Sequence, residues 1–227
     1  MSVETDGTNT TDGTDVDECV LQAHLHGFCG DEDGRECLHR PFTVGDWSYG
    51  TDGRTVLRFP AVPTPDQHAD CPKGSVATVF ACRDWSGEFL PLPRLPMWQE
   101  IVPCRECLGT GVMRCSCCQQ DMECKDCHGA CVVDLPLPFR LGGKWFDVKY
   151  LHRVAALPGV VVKVDGDALL FQCSAGGEGI VLAMKNVVTL LERLLVRWEE
   201  IKDQAAVEDA VVIEGILAEL AKEAAES

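Results

Sequence analysis

Apolar and polar residues alternate in several short stretches of this chain, and such alternation predicts half-buried β-strands. Asp-Gly and Gly-Gly pairs, which favour the tight turns of β-hairpins, follow some of these stretches. The predicted strands are 42–49, 56–59, 160–164, 168–172 and 179–184, with a further extended pair around Gly142-Gly143. The stretch 75–82 fits a strand or a short helix equally well.

Apolar residues three and four positions apart predict helices elsewhere in the chain. One helix is expected at 16–28, and another at 148–157 with Asp147 as its N-cap. The same spacing runs through 186–227, where a break at 203–206 divides the segment into two helices. One apolar stripe in this segment could cover the chain's own core, join a second copy or bind a protein partner. Its residues are Val187, Leu191, Leu194, Trp198 and Ile201.

These elements predict an α+β fold of antiparallel strands and short helices. A length of 227 residues suits one domain with an insertion or two small domains. We predict a disordered acidic tail at 1–15, an α+β domain formed by 16–95 and 136–185, an inserted hairpin at 96–135, and C-terminal helices at 186–227.

The net charge of −16 belongs to the two ends of the chain, because residues 1–34 carry nine acidic side chains and no Lys or Arg. The middle is nearly neutral, so charge alone does not exclude contact with nucleic acid. Its most basic stretch supplies four candidate nucleic-acid contacts, although a solvated surface explains the same charges. The four residues are Arg140, Lys144, Lys149 and Arg153.

Fourteen cysteines stand in a sequence with neither a secretory signal nor an apolar run long enough to span a membrane. We therefore expect a cytoplasmic protein without a membrane partner. Thiols stay reduced in that compartment, so clustered cysteines indicate metal binding rather than disulfides.

The clearest indication of a metal site is a set of two Cys-x-x-Cys pairs. Cys104 and Cys107 form the first pair, Cys124 and Cys127 form the second, and glycines follow both. Two such pairs at the ends of a short hairpin supply four thiolates, which is the ligand set of a closed structural zinc site. The sequence predicts zinc at this position.

Other cysteines leave further metal sites open. A second ion in the hairpin would use Cys115 and Cys118, with Cys131 and His128 completing its ligands. A separate group near the N-terminus fits a metal site or scattered loop residues, and it comprises Cys29, Cys37, His39 and Cys71.

The two Cys-x-x-Cys segments resemble the knuckles of the DnaJ-type zinc finger. They read Cys104-Arg-Glu-Cys-Leu-Gly-Thr-Gly111 and Cys124-Lys-Asp-Cys-His-Gly129. The resemblance covers about thirty residues and implies a zinc ion clamped across a hairpin. Cys131 stands where the last glycine of the motif is expected. The His-Pro-Asp signature of a J-domain is absent, so the resemblance does not extend to a co-chaperone.

A second resemblance flanks the hairpin. Four segments are similar to one lobe of the bacterial DNA polymerase sliding clamp. One is Phe146-Asp-Val-Lys-Tyr-Leu-His-Arg-Val-Ala-Ala-Leu157, and the others are 168–171, 177–184 and, upstream of the hairpin, 47–57. Bacteriophage proteins that combine a clamp-like lobe with an inserted DnaJ-type knuckle have this arrangement. The resemblance implies an accessory role in DNA metabolism. A clamp ring needs six lobes, and this chain has room for one.

No catalytic motif is recognisable, so we expect a non-catalytic protein. The favoured interpretation is a zinc-binding accessory of phage DNA metabolism, with a protein partner or self-association through the C-terminal helices and possible contact with DNA. The alternative is a protein-interaction adaptor or host-defence inhibitor that does not bind nucleic acid.

Overall fold

The computed structural model describes residues 18–30, 38–62, 73–98, 101–104, 106–115, 117–125, 127, 129–203 and 205–226. The tail predicted to be disordered at 1–15 lies outside these residues. The helices are α1 (Glu18–Gly27), α2 (Lys73–Ala81), α3 (Val148–Ala155), α4 (Leu191–Ile201) and α5 (Val207–Ala225), with a 3₁₀ turn at Val187–Leu190. The first eight strands are β1 (Phe42–Val44), β2 (Trp47–Thr51), β3 (Thr55–Pro60), β4 (Leu90–Pro91), β5 (Ile101–Pro103), β6 (Val112–Arg114), β7 (Asp121–Glu123) and β8 (Val132–Asp134). The last five are β9 (Pro138–Leu141), β10 (Lys144–Asp147), β11 (Val161–Asp165), β12 (Ala168–Gln172) and β13 (Glu178–Leu182).

One large antiparallel sheet organises the molecule, in the strand order β1-β2-β3-β13-β12-β11-β4. Three two-stranded sheets, β9 with β10, β5 with β8 and β6 with β7, complete the strands of the described residues. The α+β fold class predicted from the sequence is confirmed. The large sheet with α1, α2 and α3 is called the sheet lobe below, and residues 101–134 are called the cysteine hairpin.

Strand β12 lies near the middle of the sheet lobe and is buried on both faces. Leu169 and Phe171 point into a core that also contains Leu25 of α1 and Leu151 of α3. Alternate residues of the same strand, such as Leu170, join a second apolar cluster on the opposite face. Because side chains alternate across a strand, a continuous apolar run can serve two cores at once.

Several local predictions are confirmed. Helix α3 begins after Asp147, whose carboxylate accepts a hydrogen bond from the Lys149 amide. The chain turns between β9 and β10 at Gly142-Gly143, where both glycines have positive φ. The ambiguous stretch 75–82 is helical except for its last residue, since α2 ends at Ala81. The C-terminal break is also present, because α4 ends at Ile201 and α5 begins at Val207.

The strand predicted at 42–49 is wrong, because it is two strands. β1 and β2 pair with each other in an antiparallel register that joins Val44 to Trp47. Gly45 turns the chain between them at a φ of 59°. A left-handed conformation at that position favours glycine, so the turn occurs inside what otherwise looks like a single alternating run.

The C-terminal stripe predicted as a partner face is covered by the chain itself. Val187, Leu194 and Trp198 are buried in a cluster with Trp145 of β10 and Ile213 of α5. The other two members of the stripe, Leu191 and Ile201, are partly buried against the same cluster. The stripe therefore contributes to a core between the C-terminal helices and the β9–β10 hairpin, with Leu191 and Ile201 at its partly exposed edge.

Among the described residues, no helix combines the length and apolar character needed to cross a membrane.

Candidate metal centre

Backbone pairing brings the two Cys-x-x-Cys turns of the cysteine hairpin together. β5 pairs with β8 at the base of the hairpin, and β6 pairs with β7 further out. Cys104 follows β5 and Cys124 follows β7, so the two turns face each other between the strand pairs. Antiparallel pairing thus closes a loop around four thiols that lie up to 23 residues apart in the chain.

The four thiols form one buried cluster. The sulfur atoms of Cys104, Cys107, Cys124 and Cys127 all lie within 4.8 Å of one another. The distance between Cys104 Sγ and Cys124 Sγ is 3.7 Å, and that between Cys107 Sγ and Cys127 Sγ is 3.6 Å. A tetrahedral ion with metal–sulfur bonds of about 2.3 Å holds its sulfurs about 3.8 Å apart. The cluster therefore has the dimensions of a four-thiolate metal site.

In the first turn a backbone amide donates a hydrogen bond to one of these sulfurs. The Gly111 amide donates to Cys107 Sγ over 3.2 Å, and the Gly109 amide donates to the Cys104 carbonyl over 2.9 Å. Both glycines have positive φ, which lets the chain fold back over the sulfurs. A Cβ on Gly111 would lie 2.6 Å from the Gly129 carbonyl oxygen, so glycine is required there for space as well as for conformation.

The second turn repeats this geometry. Gly129 and Cys131 have φ values of 75° and 67°, close to those of their counterparts in the first turn. Each turn also donates to the other: the Cys104 amide bonds the Cys131 carbonyl over 2.8 Å, and the Cys124 amide bonds the Gly111 carbonyl over 2.9 Å. The two turns are therefore linked through the backbone as well as through their thiols.

Burial and neighbouring hydrogen-bond donors shift the pKa values of the thiols in different directions. Burial raises the pKa of Cys127 to about 12, with hydrogen bonding to the neighbouring thiols acting in the same direction. Burial also acts to raise the pKa of Cys107, but the Gly111 amide and the other thiols outweigh it and lower that pKa to about 6. The cluster can thus hold one thiolate, and a cation with a charge of two or more would favour deprotonation of the rest.

Very little apolar packing surrounds the cluster. Its core consists of the four cysteines, with Met113 and Val133 packed against them only partly buried. Several apolar side chains of the hairpin face solvent, among them Leu108, which is 84% exposed. Such a small core rarely stabilises a segment without a metal or a disulfide.

The second ligand set predicted in the hairpin is not brought together. Cys115 and Cys118 lie in the loop between β6 and β7, but Cys131 lies at the opposite end, where its thiol contacts the Gly129 carbonyl over 3.5 Å. His128 lies outside the described residues. The thiol that joins Cys115 and Cys118 is instead Cys117. Cys117 was not among the predicted ligands, because Cys115 and Cys118 alone have Cys-x-x-Cys spacing. The sequence signal that includes Cys117 is the run Cys-x-Cys-Cys.

The N-terminal group forms no metal cluster among the residues that the structure describes. Cys29 is buried and its thiol donates to the Leu25 carbonyl over 3.4 Å, and burial raises its pKa to about 11. His39 Nε2 is buried and has no hydrogen-bond partner in the described part of the chain. Cys37 and Cys71 lie outside the described residues.

The four predicted nucleic-acid contacts do not share one environment. Arg153 donates to Asp52 over 2.7 Å, and Arg140 lies 3.7 Å from both Glu219 and Glu223 of α5. The remaining two are lysines: Lys144 is exposed at the start of β10, and Lys149 is half-buried in α3. Two of the four cations are therefore paired with carboxylates of the chain itself.

No protein-family model matches this chain, and searches of curated proteins and of solved structures found no significant match.

Proposed function

We propose that this protein is a non-catalytic zinc-binding protein in which one ion orders the cysteine hairpin. The observation that carries the proposal is the buried cluster of Cys104, Cys107, Cys124 and Cys127, whose sulfurs have the spacing of a tetrahedral site. Tetrahedral four-sulfur sites are typical of zinc or iron, and closed sites of four cysteines on Cys-x-x-Cys turns are typical of structural zinc.

The absence of catalysis is part of the proposal, and it rests on the ligand count. A catalytic zinc keeps one coordination position for water or substrate. Here four thiols fill a tetrahedron, and each is at most 6% exposed. An ion held in this way stabilises the fold, and its binding free energy becomes folding free energy of the hairpin.

Metal analysis of the purified chain tests this proposal. We expect one zinc and no iron per chain, and loss of that zinc in Cys104→Ser. Cys82→Ser is the matched control, because Cys82 is exposed and belongs to no thiol cluster of the described residues. Full zinc occupancy in Cys104→Ser, or a chain isolated with iron, would contradict the assignment.

A role in DNA metabolism, as an accessory related to one lobe of a sliding clamp, is the second candidate function. Its support is that the two separated segments carrying the clamp resemblance lie side by side, with β3 paired to β13 in the sheet lobe. The exposed Lys144 is the first candidate DNA contact, since Arg140 and Arg153 already have acidic partners.

A binding titration with duplex DNA at two salt concentrations tests this second candidate. Affinity should fall as salt rises, since phosphate contacts release counterions, and Lys144→Glu should weaken binding at both concentrations. Arg153→Glu is a poor probe because it also breaks the pair with Asp52. A zinc-loaded chain that binds no DNA at low salt would favour the adaptor or inhibitor interpretation instead.

A further inference from the structure

The loop between β6 and β7, residues 115–120, carries three thiols that the zinc proposal does not use. The sulfur atoms of Cys115, Cys117 and Cys118 lie within 4.8 Å of one another, and the distance between Cys115 Sγ and Cys117 Sγ is 2.9 Å. Cys117 and Cys118 are exposed and Cys115 is partly buried. This loop is called the thiol tip below.

Main-chain hydrogen bonds close the ends of the thiol tip. The Cys115 amide donates to the Gln120 carbonyl over 2.9 Å, and the Gln119 amide donates back to the Cys115 carbonyl over 3.0 Å. Arg114 Nε adds a contact of 3.3 Å to the Gln119 carbonyl. Main-chain groups therefore close the turn, and inside it the backbone amides of Cys117 and Cys118 donate to the Cys115 sulfur. Cysteine is among the most buried residue types, so its repeated use on an exposed turn calls for another explanation.

The thiol tip is separate from the zinc cluster. The three residues of β6 lie between Gly111 of the first turn and Cys115, a span of about 10 Å along a strand. Among the described residues, no fourth cysteine, histidine or carboxylate joins the three thiols. The two clusters are therefore separate sites, and the described residues of the tip offer three sulfurs as ligands.

We propose that the thiol tip is a second metal site, selective for a soft monovalent ion of the copper(I) class in three-coordinate thiolate geometry. Structural zinc is almost always four-coordinate, so three thiolates alone suit it poorly. Thiolates are soft ligands and select copper(I) over harder ions. In a trigonal plane with metal–sulfur bonds of about 2.3 Å, the three sulfurs lie about 4 Å apart. The Cys115 and Cys117 sulfurs are 2.9 Å apart and none of the three pairs exceeds 4.8 Å, so the sulfurs lie close enough to share one ion once the exposed side chains of Cys117 and Cys118 rotate.

Anaerobic titration of the full, zinc-loaded chain with copper(I), against a competing copper(I) chelator, tests the site. Native mass spectrometry counts both metals, and ultraviolet absorption detects thiolate-to-copper charge transfer. We expect one copper per chain with the zinc retained. Changes in the outer shell of a metal site already cost about 10–100-fold in affinity, so loss of a ligand in Cys117→Ser should cost about 100-fold or more.

Cys82→Ser is the control, since it also removes an exposed thiol but lies outside the tip; its copper affinity should equal that of the unmodified chain. Copper that enters only by displacing zinc would overturn the proposal, and so would equal copper affinity in Cys117→Ser. A chain that loads copper at the tip but contains no zinc in the other cluster would contradict the proposed function and leave this inference standing. The two failures are therefore distinguishable in one experiment.

Discussion

The sheet lobe and the cysteine hairpin are ordered by different interactions. Fifteen buried residues form the largest core of the sheet lobe, and a second cluster covers the opposite face of the sheet. The core of the hairpin consists of four buried cysteines, with two partly buried apolar side chains packed against them. Burial of apolar surface is sufficient for the first region, whereas under the proposed function the second depends on the bonds that its sulfurs make to an ion. The comparison implies that each region can be disrupted while the other persists.

The largest effect is expected from Cys124→Ser, which removes a thiol with no exposed surface from the metal cluster. Structural zinc binds such peptides with an apparent free energy of about 10–16 kcal/mol, so the hairpin should lose both its ion and its order. Zinc analysis and amide NMR spectra provide the measurement. Resonances of β11, β12 and β13 should stay dispersed, and their collapse together with those of the hairpin would show that the two regions are not independent.

Phe171→Ala tests the other region. Phe171 is fully buried in the core of the sheet lobe, with its ring centroid 5.8 Å from that of Phe28. Truncation of a buried phenylalanine costs about 3–5 kcal/mol. Urea unfolding followed by circular dichroism should show this loss, while zinc analysis still finds one ion per chain. Loss of zinc under native conditions would contradict the separation of the two regions.

Cys131→Gly should stabilise the zinc-bound hairpin, whereas the first substitution destabilises it. Cys131 holds a left-handed conformation at a φ of 67° in the position that Gly111 occupies in the first turn. That conformation costs an L-residue with a Cβ about 1–2 kcal/mol. Zinc affinity, measured by competition with a chelator, should rise about fivefold for each 1 kcal/mol recovered. Ala130→Gly is the control, since Ala130 has an ordinary negative φ; a weaker zinc affinity in Cys131→Gly would refute the argument from strain.

The smallest expected effect is that of Asp147→Ala, which removes the N-cap of α3. The carboxylate accepts from the Lys149 amide over 3.1 Å, and loss of such a cap costs about 1 kcal/mol. The urea midpoint of the sheet lobe should fall slightly and zinc content should not change. Asp147→Asn should retain most of the stability because its side-chain oxygen still accepts the bond. Equal losses in both variants would assign the effect to charge rather than to capping.

Features encoded by local sequence were predictable. The four cysteines of the metal cluster follow from Cys-x-x-Cys spacing with trailing glycines, and the structure brings the four together. Helix α3 follows from its N-cap and its apolar spacing. In both cases a few neighbouring residues contain the whole signal, so no knowledge of distant contacts is needed.

Features that depend on distant contacts were not predictable. The stripe of α4 is equally suited to a partner and to the chain itself, and only its contacts with Trp145 and α5 decide between them. Strand β4 exists because Leu90 and Pro91 pair with β11, some seventy residues later. The pairing of Arg153 with Asp52 likewise joins residues 101 positions apart, so the sequence could not show that this cation was already engaged.

Hydrogen exchange on the full chain, before and after extraction of zinc by a chelator, tests the central claim most directly. We expect the amides of residues 106–134 to lose protection when zinc is removed and to regain it when zinc is restored. The amides of β11, β12 and β13 should keep their protection throughout, because apolar burial orders them. Unchanged protection in the hairpin after complete zinc removal would contradict the account.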